Sequence, residues 1–436
     1  MDTHYRCRKS HNRCHFFPTP LSRCVLFWDH RHRKNSHHST QGDKDMSHHK
    51  HLTRLFSFIS LLMISMAAAA SEPASHAYDK AVQAIVSDLN QHKTDSFNKA
   101  IDAEAILDKT FDGLMLDANV KSGVRASLKT AIQTKIANSI IEHIPAGGHS
   151  KVLRIKPVAN LMTALVRLDY GDNGNAYYDL QLSQSPNGSI RIVDWYDYSF
   201  GQTYSQNLRQ IVAMISPTPT LLGKVFDIAS NRTKAMDDMM ELIKLYHDKK
   251  HDKVVLKVLS MDEDMRKNRM LSIIAVQSGN MSGNERLYHQ ALANLEHYYR
   301  DDPSMTFLLI DYYFLEKRFD KVISATDQLM KSFGVDDASL YTIKANALAG
   351  QGKYGEAVIQ AEHATSSEPD YEIGYWSLLS ASSKARNYAK AVETAQALEK
   401  RFSYNLGPEA LSKDATFAPL IQSAEYKKWR STRNRS

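Results

Sequence analysis

The chain has 436 residues, enough for two or three domains of about 100–200 residues each, and its 43% hydrophobic and 24% charged composition is that of a globular protein rather than a disordered or membrane-embedded one. Its net charge of +7 is localised: the first 70 residues carry 11 Lys and Arg against 4 Asp and Glu, leaving 44 of each sign from Ser71 onward. A formally neutral body has no basic stripe to neutralise phosphates, so nucleic acid is not an expected partner. All three cysteines, Cys7, Cys14 and Cys24, lie within the first 24 residues, which excludes a disulfide, thiol nucleophile or Cys-ligated zinc from everything that follows. A cysteine-free body suits an oxidising compartment.

Residues 1–45 are rich in His and Arg without apolar periodicity, and read as a disordered leader or as sequence ahead of a true start at Met46. The Cys7–Cys14 spacing, even with His11, His15, His37 and His38 nearby, is too wide for a compact zinc site, so no metal is expected. From Met46 the order changes. His48, His49, Lys50, His51 and Arg54 form a basic stretch, Leu55–Met66 is uncharged and apolar, and Ala67–Ala70 supplies small residues before Ser71. That is the layout of a secretory signal peptide over 46–70. The apolar run falls short of the ~20 residues of a spanning helix. An uncleaved membrane anchor stays open as the alternative, and the absence of a following Cys excludes a lipoprotein anchor. The mature chain is expected to begin near Ser71 and to be exported, periplasmic or secreted.

A middle domain is expected over 78–215. Tyr78–Asn90, Ser96–Phe111 and Val120–Ile144 have helical periodicity, the last through Val124, Leu128, Ile132, Ile136 and Ile140, closed by Pro145–Gly148. The period then switches to two. Lys151–Ile155 is a short strand; Leu161–Tyr170 places Met162, Ala164, Val166, Leu168 and Tyr170 on one face, with Thr163, Arg167 and Asp169 on the other. Turns at Asp172–Asn175 and Ser185–Gly188 link it to strands over Ala176–Gln184 and Ile190–Phe200, and a helix follows over Ser205–Met214. Helices followed by antiparallel strands make an α+β domain with helices on one face of a curved sheet. This order, with the run Ile192-Val193-Asp194-Trp195-Tyr196-Asp197-Tyr198, resembles the nuclear-transport-factor-two-like (cystatin-like cone) superfamily over about 120 residues. The resemblance implies a cone-shaped cavity that serves isomerase or dehydratase chemistry in some members, and ligand binding or dimerisation in many others.

Acid–base chemistry there needs a carboxylate or His in an apolar pocket beside a hydrogen-bond donor. Asp194 with Tyr178, Tyr196 and Tyr198 is the candidate set if the Ile190/Ile192 face is inward, although alternation equally permits Arg191, Val193 and Trp195 to be inside. The competing and favoured expectation is that Asp194 is a hydrogen-bonded core residue.

The region 234–405 repeats. Tyr341, Tyr354, Ala357 and Ala361 recur 34 residues later as Tyr375, Tyr388, Ala391 and Ala395, and Ala291 precedes Pro303 by the 12 residues that separate Ala357 from Pro369. Two helices of three to four turns and two short loops fill such a unit; alanines at the crossing let the helices approach, and proline ends the unit. Gly352-Lys353-Tyr354-x2-Ala357 with Ala364 and Pro369 resembles the tetratricopeptide repeat family, with units near 270–303, 304–337, 338–371 and 372–405. Ile310 and Leu379 depart from its pattern. Helices over 234–259 join the domains, and 406–436 reads as a cap built on Phe417, Leu420, Ile421, Tyr426 and Trp429.

The resemblance implies a groove lined by the first helix of each pair: Phe307, Asp311 and Phe314, then Thr342 and Asn346, then Trp376, Ser380 and Ser383. Only Asn346 matches the set that clamps a C-terminal carboxylate in that family. The expected fold is therefore mainly α, an α+β cone domain followed by a helical solenoid. The expected function is that of an exported, non-enzymatic scaffold that binds a protein or peptide segment and carries no cofactor. A second copy joined through the α+β domain is a further candidate partner. The alternative function is an enzyme or small-ligand binder using the α+β cavity.

Overall fold

The structure, a computed structural model, describes residues 72–145, 150–171, 174–215, 219–226 and 232–433. The leader, the signal segment and the turn at Asp172–Asn173 lie outside the described residues. The fold is mainly α, with a five-stranded antiparallel sheet in the middle followed by a run of paired helices.

Among the described residues five helices precede the sheet: α1 (Glu72–Asn90), α2 (Asp95–Ala100), α3 (Ala103–Phe111), α4 (Ala118–Thr134) and α5 (Ile136–Ile141). The single helix expected over Ser96–Phe111 is two. Asp102 N–H donates to the Ile192 carbonyl at 2.9 Å, outside any helix, while the Asp102 carboxylate accepts from Ala105 N–H at 3.1 Å and so starts α3. A break at Lys135 likewise splits the helix expected over Val120–Ile144, yet Ile132, Ile136 and Ile140 all remain buried.

The strands β1 (Lys151–Val158), β2 (Leu161–Asp169), β3 (Asn175–Gln184), β4 (Ile190–Asp197) and β5 (Gln202–Thr203) pair in sequence order, every pair antiparallel. Ala164 pairs with Leu180 and Val166 with Tyr178, and this side of the sheet faces the helices, since Trp195 opposite Leu180 meets the Phe97 ring of α2 at 6.5 Å. Between Gln181 and Leu182 the register of β4 slips by one residue, so Ile192 and Trp195 both sit opposite side chains of that face. Strict alternation, on which the two expected orientations of this strand rested, does not hold there. Helix α6 (Tyr204–Ile215) closes the domain.

Helices α7 (Pro219–Val225), α8 (Arg232–His247), α9 (His251–Ser260) and α10 (Glu263–Arg266) lead into four pairs. These are α11 (Arg269–Ser282) with α12 (Glu285–Tyr299), α13 (Thr306–Leu315) with α14 (Phe319–Phe333), α15 (Ala338–Gly350) with α16 (Tyr354–Ser367), and α17 (Glu372–Lys384) with α18 (Tyr388–Phe402). Ala291, Ala357, Ala361, Ala391 and Ala395 are completely buried, as residues at close helix crossings must be. The last pair is covered by α19 (Pro408–Leu411), α20 (Ala418–Gln422) and α21 (Ala424–Arg433). Leu406, Phe417, Leu420, Tyr426 and Trp429 pack there against Tyr375, Leu379 and Leu398, and each buried large apolar side chain contributes about 1.5–3 kcal/mol.

Candidate functional site

The face of the sheet turned away from its own helices is not open to solvent. Alternation puts Arg167 on that face of β2, opposite Tyr177 of β3. The Arg167 guanidinium is fully buried and donates from Nη1 to Asp337 Oδ2 at 2.7 Å and from Nη2 to Glu368 Oε1, both carboxylates belonging to the helical array. Tyr177 Oη donates to the other oxygen of Asp337 at 2.8 Å, and Leu340 N–H donates to the same oxygen at 2.9 Å, so Asp337 also caps α15. The Tyr371 ring lies under the guanidinium at 4.8 Å, and Lys151 reaches Glu368 at 3.4 Å. Burial alone would lower the Arg167 pKa; Asp337 and Glu368 overcome it and hold the group well above its ordinary value.

Around this ion cluster the contact continues. Phe333 and Phe307 pack on Tyr177 at 4.9 and 5.2 Å, Tyr198 packs on Phe333 at 5.0 Å, and Asn175 Nδ2 donates to Ser339 Oγ at 2.7 Å. Arg269 donates to the Gly201 carbonyl and pairs with Asp302. Gly201 has φ +61, and a Cβ there would stand 2.5 Å from the Ser304 carbonyl oxygen, so both the backbone conformation and the close approach require glycine. Arg269, Pro303, Asp337 and Tyr371 are spaced by 34 residues, one at the head of each of the four helix pairs. The sheet therefore rests on the repeat junctions as a row.

This seating divides the eight residues expected to line the groove. Phe307, Asp311 and Thr342 are buried: Phe307 lies against Tyr177, Asp311 accepts from Tyr288 Oη at 2.9 Å, and Thr342 Oγ1 donates to the Ala338 carbonyl at 2.8 Å. Phe314, Asn346, Trp376 and Ser380 are half-buried. Phe314 packs on Phe319 at 5.9 Å, and Asn346 Oδ1 accepts from Ser377 Oγ of α17 at 2.8 Å, which joins the first helices of successive pairs. Trp376 Nε1 donates to Glu372 Oε1 at 3.1 Å, and its ring meets that of Tyr404 at 5.0 Å. Ser383 is buried and donates to the Leu379 carbonyl at 2.7 Å. A separate open cleft of about 480 Å³ lies on the second helices, between α16 and α18, where Lys390 bridges Glu362 and Glu393.

In the α+β domain the candidate acid–base residues are dispersed. Asp194 is buried and accepts from Ser205 N–H at 3.1 Å, Ser205 Oγ at 2.6 Å and Trp195 N–H at 3.0 Å, which fastens the start of α6 to the sheet. Tyr178 faces the helices, 6.0 Å from the Trp195 ring. Tyr196 sits opposite Asp179, the next residue along β3, and so lies on the other face with Tyr198 at 4.8 Å. Asp197, opposite Tyr178, was not singled out by the sequence. It is buried, accepts from Ser199 N–H at 2.8 Å, and is pushed up to about 7 by burial. The Asp-x-Ser spacing that forms this turn was its one local signal.

Among the described residues no group of three His, Cys, Asp or Glu is placed to hold a metal, and no helix is long and apolar enough to cross a membrane. Compared with known protein families and with characterised proteins, the chain matches none.

Proposed function

We propose that this chain is a non-enzymatic scaffold, a tetratricopeptide-like array that binds a polypeptide segment along its first helices, with the α+β domain as a fixed brace on one margin. The observation that carries this reading is the division of the array's lining. The sheet covers Phe307 and the repeat junctions, while Asn346, Trp376 and Ser380 remain partly open on neighbouring helices that are tied through Ser377. An indole beside a carboxamide and a hydroxyl suits an extended peptide, the indole as apolar anchor and the amide as partner for backbone groups. The dispersal of Asp194, Tyr178 and Tyr196, and the cap that Asp194 forms on α6, favour the scaffold over acid–base catalysis.

With the signal-like pattern of 46–70, the same reading places the protein outside the cytoplasm, where a cysteine-free body is at no disadvantage. A photo-crosslinking amino acid at Ser380 tests the binding surface. A discrete polypeptide adduct from Ser380, absent when the same probe replaces the exposed Leu256 of α9, is the expected result; equal labelling from both positions would remove the reading.

A further inference from the structure

We infer that the corner formed by Glu372, Trp376 and Tyr404 is a receptor for a basic side chain, lysine or arginine, of the bound segment. The inference rests on the groove reading above and supplies the chemistry of its ligand. Glu372 opens α17, and Trp376 lies one turn further along the same helix, so the two side chains share a face. Trp376 Nε1 and Tyr404 Oη both donate to the same carboxylate oxygen, Oε1 of Glu372. Two donors on one oxygen orient the carboxylate and leave Oε2 to meet a cation. No Lys or Arg among the described residues forms an ion pair with Glu372.

The rings complete the corner. Trp376 and Tyr404 stand at 88° with centroids 5.0 Å apart, which makes two walls rather than a stack. Trp376 is half-buried and Tyr404 is 39% exposed, so the walls are reached from solvent. A cation over an indole face is attracted by the ring quadrupole, and a carboxylate at the ring edge adds an opposite charge. An acidic side chain would meet Glu372 and be repelled; an aliphatic one would gain the ring contact but not the charge. The corner adjoins Asn346 through the Ser377 of the same helix, so a chain held at Asn346 would carry its side chains past it. Lysine and arginine fit both parts of the site.

The test uses the full chain labelled with 5-fluorotryptophan, with the Trp376 resonance identified by its loss in Trp376→Phe. It is titrated with a short blocked Gly/Ser peptide carrying a central lysine, arginine, norleucine or glutamate. The lysine and arginine peptides are expected to move the Trp376 signal, the norleucine peptide much less and the glutamate peptide not at all. Glu372→Gln is expected to weaken the lysine response about tenfold with the Trp195 and Trp429 signals and the melting temperature unchanged. Equal responses to norleucine and lysine would overturn the cation receptor and leave the groove standing. Silence toward every peptide would overturn both.

Discussion

Arg167 and Asp337, 170 positions apart in the sequence, meet at 2.7 Å in full burial and join the middle sheet to the helical array. Taking two charges out of water costs several kcal/mol each, which such a pair recovers only when its remaining hydrogen-bonding capacity is used. Here Asp337 accepts from Arg167, Tyr177 and Leu340 N–H, and Arg167 also reaches Glu368, which leaves only its Nε without a partner among the described residues. The consequence is a single assembly in which neither half presents its contact face to solvent.

Removing the cation should therefore be expensive. Arg167→Met, which keeps most of the volume, leaves Asp337 and Glu368 buried without their guanidinium and is expected to cost about 3–5 kcal/mol. Arg167→Lys should recover only part of this loss, because one ammonium cannot reproduce the two-armed geometry. Urea unfolding checks both: the midpoint should fall steeply for Met and less for Lys. A Met variant as stable as the parent would mean that the sheet does not rest on these junctions.

Gly201 offers an independent handle on the same contact. Gly201→Ala places a methyl against Ser304 and Met305 at positive φ, and is expected to cost more than about 1 kcal/mol. Gly188→Ala, also at positive φ but at a turn with room around it, serves as the control for backbone strain alone. Differential scanning calorimetry should show the larger fall in melting temperature for the Gly201 variant.

How much of this was legible in the sequence depends on how local the signal was. Ala357 and Ala391 declare the helix crossings because a 34-residue unit repeats its own packing, and the capping residues Phe417 and Tyr426 follow from an apolar run at the end of an open stack. The helix break at Ile101–Asp102 was hidden, since it depends on a hydrogen bond to Ile192, far along the chain. The slip in β4 was hidden too, for nothing around Val193 marks the extra residue. Arg167 was correctly placed opposite the apolar face of β2. A polar strand face reads as a wet one, and only the position of Asp337 and Glu368 in space turns it into an interface.

Asp197 predicts a pH dependence with a definite sign. Its folded-state pKa is raised to about 7 by burial, above the ordinary carboxylate value of the unfolded chain, so the folded protein holds a proton that the unfolded chain has released. The contribution to stability is full below about pH 4 and declines as the pH rises through about 7. Asp197→Asn should flatten the stability profile over that window, as followed by chemical denaturation across pH. An unchanged slope in the variant would assign the dependence to other groups.

Export is tested at the N-terminus itself. The basic stretch, apolar run and alanines of 46–70 predict a mature chain that begins near Ser71 and is found outside the cytoplasm. N-terminal sequencing of the protein recovered from its native host, with fractionation, checks both. A chain beginning at Met1 and retained in the cytosol would contradict the proposal.

If the open half of the first-helix face binds a polypeptide, the double variant Asn346→Ala/Trp376→Ala should lose that binding. Both residues are half-buried, and each makes one inter-residue hydrogen bond, so helical content should be retained and the melting temperature should fall only modestly, while affinity for a partner recovered by crosslinking at Ser380 should weaken by about 2 kcal/mol or more. Affinity is to be measured by titration calorimetry on the intact chain. An unchanged affinity together with a large loss of stability would contradict the claim, assigning Trp376 to the packing between repeats and the binding surface to another face.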